Sequence, residues 1–184
     1  MADAFFPMPL PPTLTDGVVM LDGHAVEDAE AHHAGEDMEM VRRFDGSEKA
    51  SVEQLRGAMR RWMDMRAAGG PQFAYAMRDL SGALMGGCEL QRRRRDTTHV
   101  SYWSYAGFRG HGYASRALAL VCAAAAKIEG VEMIEAHIDA DNTALLGVAS
   151  RNGFIRVGEV AEETWSGGTV TRLRLVRPAR LTAE

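Results

Sequence analysis

The spacing of apolar positions changes several times along the chain, and each change marks an element. Val18-Val-Met-Leu21 is a short apolar run that reads as a first strand. Over residues 26–44, alanine, glutamate and histidine crowd around Gly35, which predicts short helical pieces with a break. A clearer helix follows, because Ser51 can cap it with Gln54 three residues on, and Leu55, Met59, Trp62 and Met63 then share one face. Gly69-Gly-Pro71 stops it, and its apolar face is expected in the core.

Residues 72–78 alternate around Phe73, Tyr75 and Met77, Ser81-Gly82 turns the chain into residues 83–90, and residues 98–106 are rich in aromatic and branched side chains. Three successive strands without an intervening helix predict an antiparallel meander. The period then becomes helical, with Leu118, Val121, Ala125 and Ile128 on one face and Gly130 just beyond. Residues 131–139 alternate as a strand and 142–152 read as a helix ended by Gly153. Residues 154–160 and 170–176 close the chain as a hairpin around Ser166-Gly-Gly168. The fold class is therefore mixed α/β: strands, helix, strand, helix, strands.

A length of 184 residues suits one domain with a real core. We expect a Pro-rich arm over 1–16, a single domain over 17–177 and a tail over 178–184. The richest apolar run, residues 117–126, falls short of the roughly eighteen residues a membrane span needs, so no membrane partner is expected. The start carries Asp3, and Phe5-Phe-Pro-Met-Pro-Leu-Pro-Pro12 is broken by prolines, so no secretory signal is read and a cytoplasmic location is expected. Cys88 and Cys122 lie far apart without CxxC spacing, which predicts neither a disulfide framework nor a metal site. A net charge of −4 offers no general attraction to nucleic acid. The one basic block, Arg92-Arg-Arg-Arg95, reads as a solvated hairpin tip, with a grip on phosphate or a polyanion as the competing reading.

Between the third meander strand and the helix that follows lies Gly107-Phe-Arg-Gly-His-Gly-Tyr-Ala114. The first turn of a helix has unpaired amides and a partial positive charge, and small residues let a pyrophosphate approach them. Spacing alone leaves this reading level with a tight turn that merely needs glycine. No Gly-Lys-Ser/Thr follows, which excludes a Walker loop, and three strands precede the turn where a dinucleotide fold would place it early.

Arg109-Gly-His-Gly-Tyr-Ala114 resembles the Arg/Gln-x-x-Gly-x-Gly/Ala signature of the GNAT superfamily of N-acetyltransferases. Ser101-Tyr-Trp103 resembles that family's fourth strand, and the run from Asn142 to Gly153-Phe154 resembles its second motif, an Asn followed by a short helix ending in Gly-Phe. Asp28-Ala-Glu30 and the stretch to Phe44 resemble the first helices of the ribosomal-protein alanine acetyltransferases, the RimJ/RimL-like branch. The resemblance spans residues 17–176. It implies a mostly antiparallel sheet of about seven strands flanked by helices and splayed between strands 4 and 5. It also implies acetyl-CoA as co-substrate, with its pantetheine arm in the gap beside Trp103, Ser104 and Tyr105. By the same resemblance Arg109, Gly110, His111, Gly112, Tyr113 and Ala114 hold the pyrophosphate, and Asn142 bonds the pantetheine from the opposite wall.

Acetyl transfer to an amine requires loss of a proton from a nitrogen that is protonated at neutral pH. On the fifth strand Met133, Glu135, His137 and Asp139 share a face by the period of two, and His137 is the first candidate for the base. Glu89 is the second. Relatives often carry Tyr seven residues after the Asn, or Ser at three, whereas this chain has Ala149 and Leu145. Tyr102, Tyr105, Tyr113 or water could serve the leaving thiolate instead. Glu27, Asp28, Glu30, Glu36, Asp37 and Glu39 either attract a cationic acceptor or form a solvated face.

The function expected is N-acetylation of a primary amine, on a small molecule or a protein N-terminus. A non-catalytic acyl-CoA-binding regulatory protein is the alternative, and a nucleic-acid binder using Arg92 to Arg95 a third. A homodimer through the strand at 170–176 is a further expectation.

Overall fold

A computed structural model describes residues 7–164 and 167–180, so Ser166 of the expected last turn lies outside the described residues. Strands β1 (Leu14–Thr15) and β2 (Met20–Gly23) pair antiparallel, their turn closed by Asp16, whose Oδ1 accepts from the amides of Val18 and Val19. Residues 7–16 of the expected arm thus join the sheet and the core: Met8 is buried, and the Pro11 carbonyl accepts from the Tyr75 hydroxyl at 2.7 Å. Residues 26–44 fold in pieces as read, with a 3-10 turn at Val26–Asp28, then α1 (Ala29–Gly35) and α2 (Met38–Arg43). Asp37 caps α2 by accepting from the Met40 amide.

Helix α3 (Val52–Ala67) begins with the reciprocal Ser51/Gln54 box. Leu55 and Met59 are buried, but Met63 is 43% exposed. A four-residue step turns a helix about 40° past a full circle, so Met63 rolls to the rim of the face rather than into the core.

The expected meander is β3 (Gln72–Arg78), β4 (Leu84–Arg92) and β5 (Thr97–Ser104), paired antiparallel throughout. After it come α4 (Tyr113–Ala125), β6 (Met133–Ile138), α5 (Thr143–Arg151), β7 (Ile155–Glu163) and β8 (Thr169–Pro178). Among the described residues one eight-stranded sheet results, ordered β1-β2-β3-β4-β5-β6-β8-β7, with β5–β6 as its parallel pair. The count exceeds the expected seven by one. The strand at 170–176 was expected to offer an edge for dimerisation, but β8 lies between β6 and β7. The free edge on that side is β7, where Ile155 and Val157 are exposed.

One sheet face packs on α4 and α5, burying Tyr75, Cys88, Leu90, Val100, Tyr102 and Ile134 against Leu118, Val121 and Cys122. Burial of each large aliphatic side chain there contributes about 2 kcal/mol. The other face is covered at its β2–β5 end by α1 and α3, with Trp103 at the centre. Gly87 is obligatory beneath it, because a Cβ there would stand 2.4 Å from the Trp103 ring.

Of Arg92 to Arg95, the first departs from the expected solvated hairpin tip. Arg92 is buried and donates to the carbonyls of Pro7, Arg95 and Glu129, because the β4–β5 connection folds back over the end of α4 and its carbonyls need a donor there. Both cysteines are buried and unpaired. Among the described residues no helix is long and apolar enough to cross a membrane.

Candidate active site

The β5–β6 ladder runs only from Thr97↔Met133 to His99↔Glu135, although β5 continues to Ser104 and β6 to Ile138. Beyond that point the two strands diverge and leave a gap. The Tyr105 amide donates to Met85 on β4, and the β4–β5 register is unbroken. By the alternation of such a ladder, Trp103 and Tyr105 turn their backbone groups to β4, while Tyr102 and Ser104 turn theirs to the gap. Of the three β5 residues expected along the cofactor, Ser104 therefore turns its backbone to the gap. The side chains of Trp103 and Tyr105 point to the opposite face: Trp103 stands among His24, His32, Phe44 and Trp62, and the Tyr105 hydroxyl lies 2.8 Å from His32 Nδ1.

At the end of β5 the chain makes a 3-10 turn (Ala106–Phe108) and enters α4 through two left-handed glycines, Gly110 at φ 79° and Gly112 at φ 81°. Only glycine takes this conformation without cost, and Gly112 occupies the N-cap of α4. Among the described residues the amides of Gly110, His111, Gly112, Tyr113 and Ala114 find no protein acceptor. A Cβ at Gly107, Gly110 or Gly112 would meet nothing within 4 Å, so the space over these amides is open. Five unpaired donors at the start of a thirteen-residue helix fit a pyrophosphate. The rings of His111 and Tyr113 stack at 5.7 Å beside them.

The Arg109 side chain turns the other way. Its guanidinium donates to Asp37 at 2.6 Å and 3.1 Å, to Glu39 at 3.2 Å and to the Ser104 carbonyl. This pairing holds the Asp37 carboxyl below the usual carboxylate range. At the other end of α2, Arg43 donates to Asp139 at 3.0 Å and Asp141 at 2.5 Å, beyond the end of β6. Helix α2 thus spans the gap with one ionic anchor on each wall. The acidic cluster read from the sequence is largely spent in such contacts, since Asp28 pairs bidentately with Arg78 and Glu30 with Arg56.

Asn142 caps α5, its Oδ1 accepting from the Leu145 amide at 3.2 Å. Among the described residues its Nδ2 donates to no protein group. This loop forms the far wall of the gap.

The two candidate bases share one sheet face on opposite walls. Glu89 on β4 stands directly across from Ser101 on β5. Burial raises its carboxyl above the usual range, and Gln72 donates to it. His137 on β6 is enclosed, with Nδ1 2.7 Å from Glu162 and Nε2 2.6 Å from Glu135. Each ring nitrogen thus faces a carboxylate oxygen. Burial would raise the Glu135 carboxyl, yet the Arg174 guanidinium and His137 hold it at about 2. Hydrogen bonding to His137 depresses Glu162 further. Arg172 completes this cluster by donating to Asp139, Glu162 and Asp45. Among the described residues no group of three His, Cys, Asp or Glu residues could hold a metal.

Residues 19–155 match the family described as the Acetyltransferase (GNAT) domain. No curated protein matches the sequence. Among solved structures, an acetyltransferase (GNAT family) from Bacillus anthracis aligns at 16% identity and a TM-score of 0.76, covering 91% of this chain and 98% of that one. A ribosomal-protein-S5-alanine acetyltransferase from Vibrio fischeri aligns at 14% identity and a TM-score of 0.74, covering 91% and 96%. A spermidine N-acetyltransferase from Vibrio cholerae, solved with CoA and spermine, aligns at 14% identity and a TM-score of 0.72, covering 89% and 97%. With the family matched over most of its length and its turn and gap in place, the chain belongs to the GNAT family of acetyltransferases.

Proposed function

We propose that this protein transfers the acetyl group of acetyl-CoA directly to a primary amine, on a small molecule or a protein N-terminus. The observation that carries the reading is the Gly110–Ala114 turn, whose unpaired amides open beside the β5–β6 gap. Acetyl-CoA supplies an activated thioester; the protein supplies placement. Amides at the start of α4 take the pyrophosphate, the Tyr102 and Ser104 backbone edge lines one wall, and Asn142 Nδ2 donates from the other.

Glu89 serves as the base in this reading. It faces the acceptor side of the sheet, and burial raises its carboxyl toward the proton affinity that removal of an ammonium proton requires. His137 instead fixes Glu135 and Glu162 and keeps the second wall rigid. Positioning of amine against thioester contributes several kcal/mol in itself. The acceptor side is lined by aromatic rings, with Trp103 edge-on to Phe44 at 5.7 Å, which suits an amine carried on an apolar stem.

The test is thermal unfolding with and without acetyl-CoA, followed by release of free thiol with spermidine and with peptides that begin in Ala or Ser. A ligand that binds the folded state raises the midpoint. No shift at millimolar acetyl-CoA would remove the reading. A shift without thiol release from any amine would favour the acyl-CoA-binding alternative, for which Leu145 and Ala149 speak.

A further inference from the structure

With Leu145 and Ala149 on α5, that helix offers no hydroxyl at either position to a departing thiolate. The structure supplies one from the opposite wall. Of the four tyrosines, Tyr75 on β3 bonds the Pro11 carbonyl, Tyr105 bonds His32 on the other face, and Tyr113 stacks on His111 in the turn that enters α4. Tyr102 alone reaches across: its hydroxyl donates to the Leu145 carbonyl at 2.9 Å, joining β5 to the first turn of α5. It stands three residues past the last β5–β6 pair, where the gap has opened.

We propose that the Tyr102 hydroxyl is the hydrogen-bond donor to the leaving sulfur, taking from β5 the role that α5 leaves vacant. The inference rests on the acetyl-transfer reading. As the amine nitrogen bonds to the acetyl carbon, the C–S bond breaks and its electron pair goes to sulfur. Tyr102 Oη–H swings from the Leu145 carbonyl to that sulfur and stabilises the thiolate. The ammonium loses two protons in becoming an amide: one ends on sulfur and one passes through Glu89 to solvent, so the enzyme returns unchanged. The Leu145 carbonyl lies within a helix and keeps a backbone partner, so surrendering the tyrosine costs it little. Burial raises the Tyr102 phenol, which keeps it protonated as a donor.

Two readouts test this, and one needs no turnover. Bound CoA is titrated by thiolate ultraviolet absorbance; the protein's own thiols stay silent, because burial pushes Cys122 up to about 12 and Cys88 higher. In the unaltered protein the bound thiol ionises at lower pH than free CoA. In Tyr102→Phe that pH rises by about 1 to 2 units, and kcat with spermidine or an Ala-initiated peptide falls by about 10²-fold with the acetyl-CoA thermal shift retained. Adding Leu145→Ser, which restores a hydroxyl from α5, recovers part of both; a merely structural tyrosine would not be rescued in this way. Tyr102→Phe with unchanged titration and turnover overturns the inference. If the unaltered protein turns over no amine, the transfer reading falls, and the CoA titration still decides for or against Tyr102.

Discussion

Replacing Arg172 by Met tests whether the cluster beside the gap is held by charge. Arg172 and Asp45 are 14% and 15% exposed at the side chain, so the pair is largely removed from water. The substitution keeps an unbranched apolar stem but leaves three carboxylates without this cation. Asp139 retains Arg43, and Glu162 retains His137 and Arg93, whereas Asp45 has no other side-chain partner among the described residues. Breaking a fully buried pair costs about 3–5 kcal/mol; two of the three acids keep partners, so about 2–3 kcal/mol is expected. For a chain of this size that lowers Tm by roughly 4–12 °C at neutral pH. The Glu162 carboxyl lies below its usual range chiefly through its hydrogen bond with His137, which the substitution leaves in place, with Arg172 a lesser cause. Both proteins therefore lose the Glu162 contribution as pH falls below the ordinary Glu value of 4.5, and the gap between them stays constant from pH 8 to about pH 5. Calorimetry that shows no gap at pH 7 would refute the reasoning.

Gly112→Ala meets no steric obstacle, so its cost is conformational, about 1–2 kcal/mol for a left-handed residue. The acetyl-CoA thermal shift should shrink more than the fall in basal Tm explains; an unchanged shift would separate this turn from cofactor binding. Glu89→Gln lowers kcat and abolishes the acidic limb of the pH profile. In the unaltered protein that limb lies above the ordinary carboxylate range, because burial raises Glu89. A limb that survives the substitution assigns it to another group. Gly87→Ala drives a methyl into the Trp103 ring and the Tyr75 carbonyl and costs about 1–3 kcal/mol in a denaturant series, with an unchanged midpoint as the contrary result.

What the sequence revealed was what it encodes locally. The α4 face of Leu118, Val121 and Ala125, the Ser51/Gln54 box and the glycine turn at 110–112 all depend on residues within a few positions of one another. Tyr102 meets Leu145 across 43 positions and His137 meets Glu162 across 25, and no periodicity in either segment announces the partner. The strand and face of His137 are legible in the sequence, while the second carboxylate that encloses it arrives from β7. Arg92 is hidden from the sequence for the same reason: its neighbours are exposed arginines, but its acceptors include carbonyls from the N-terminal segment and from the residues after α4.

The insertion of β8 between β6 and β7 bears on how the chain acquires its structure. Although β8 follows β7 in sequence, β7 pairs with no other strand among the described residues, and β6 lacks its longer ladder until β8 arrives. During synthesis the second half of the sheet therefore waits, with the edge of β6 bare, for β8 to leave the ribosome. Pairing completed this late and across this distance is slow and exposes strands to the wrong partner. Shortening the chain by even half of β8 would remove hydrogen bonds from both neighbours at once, so the wall bearing His137 and Asn142 and the terminal hairpin should fail together.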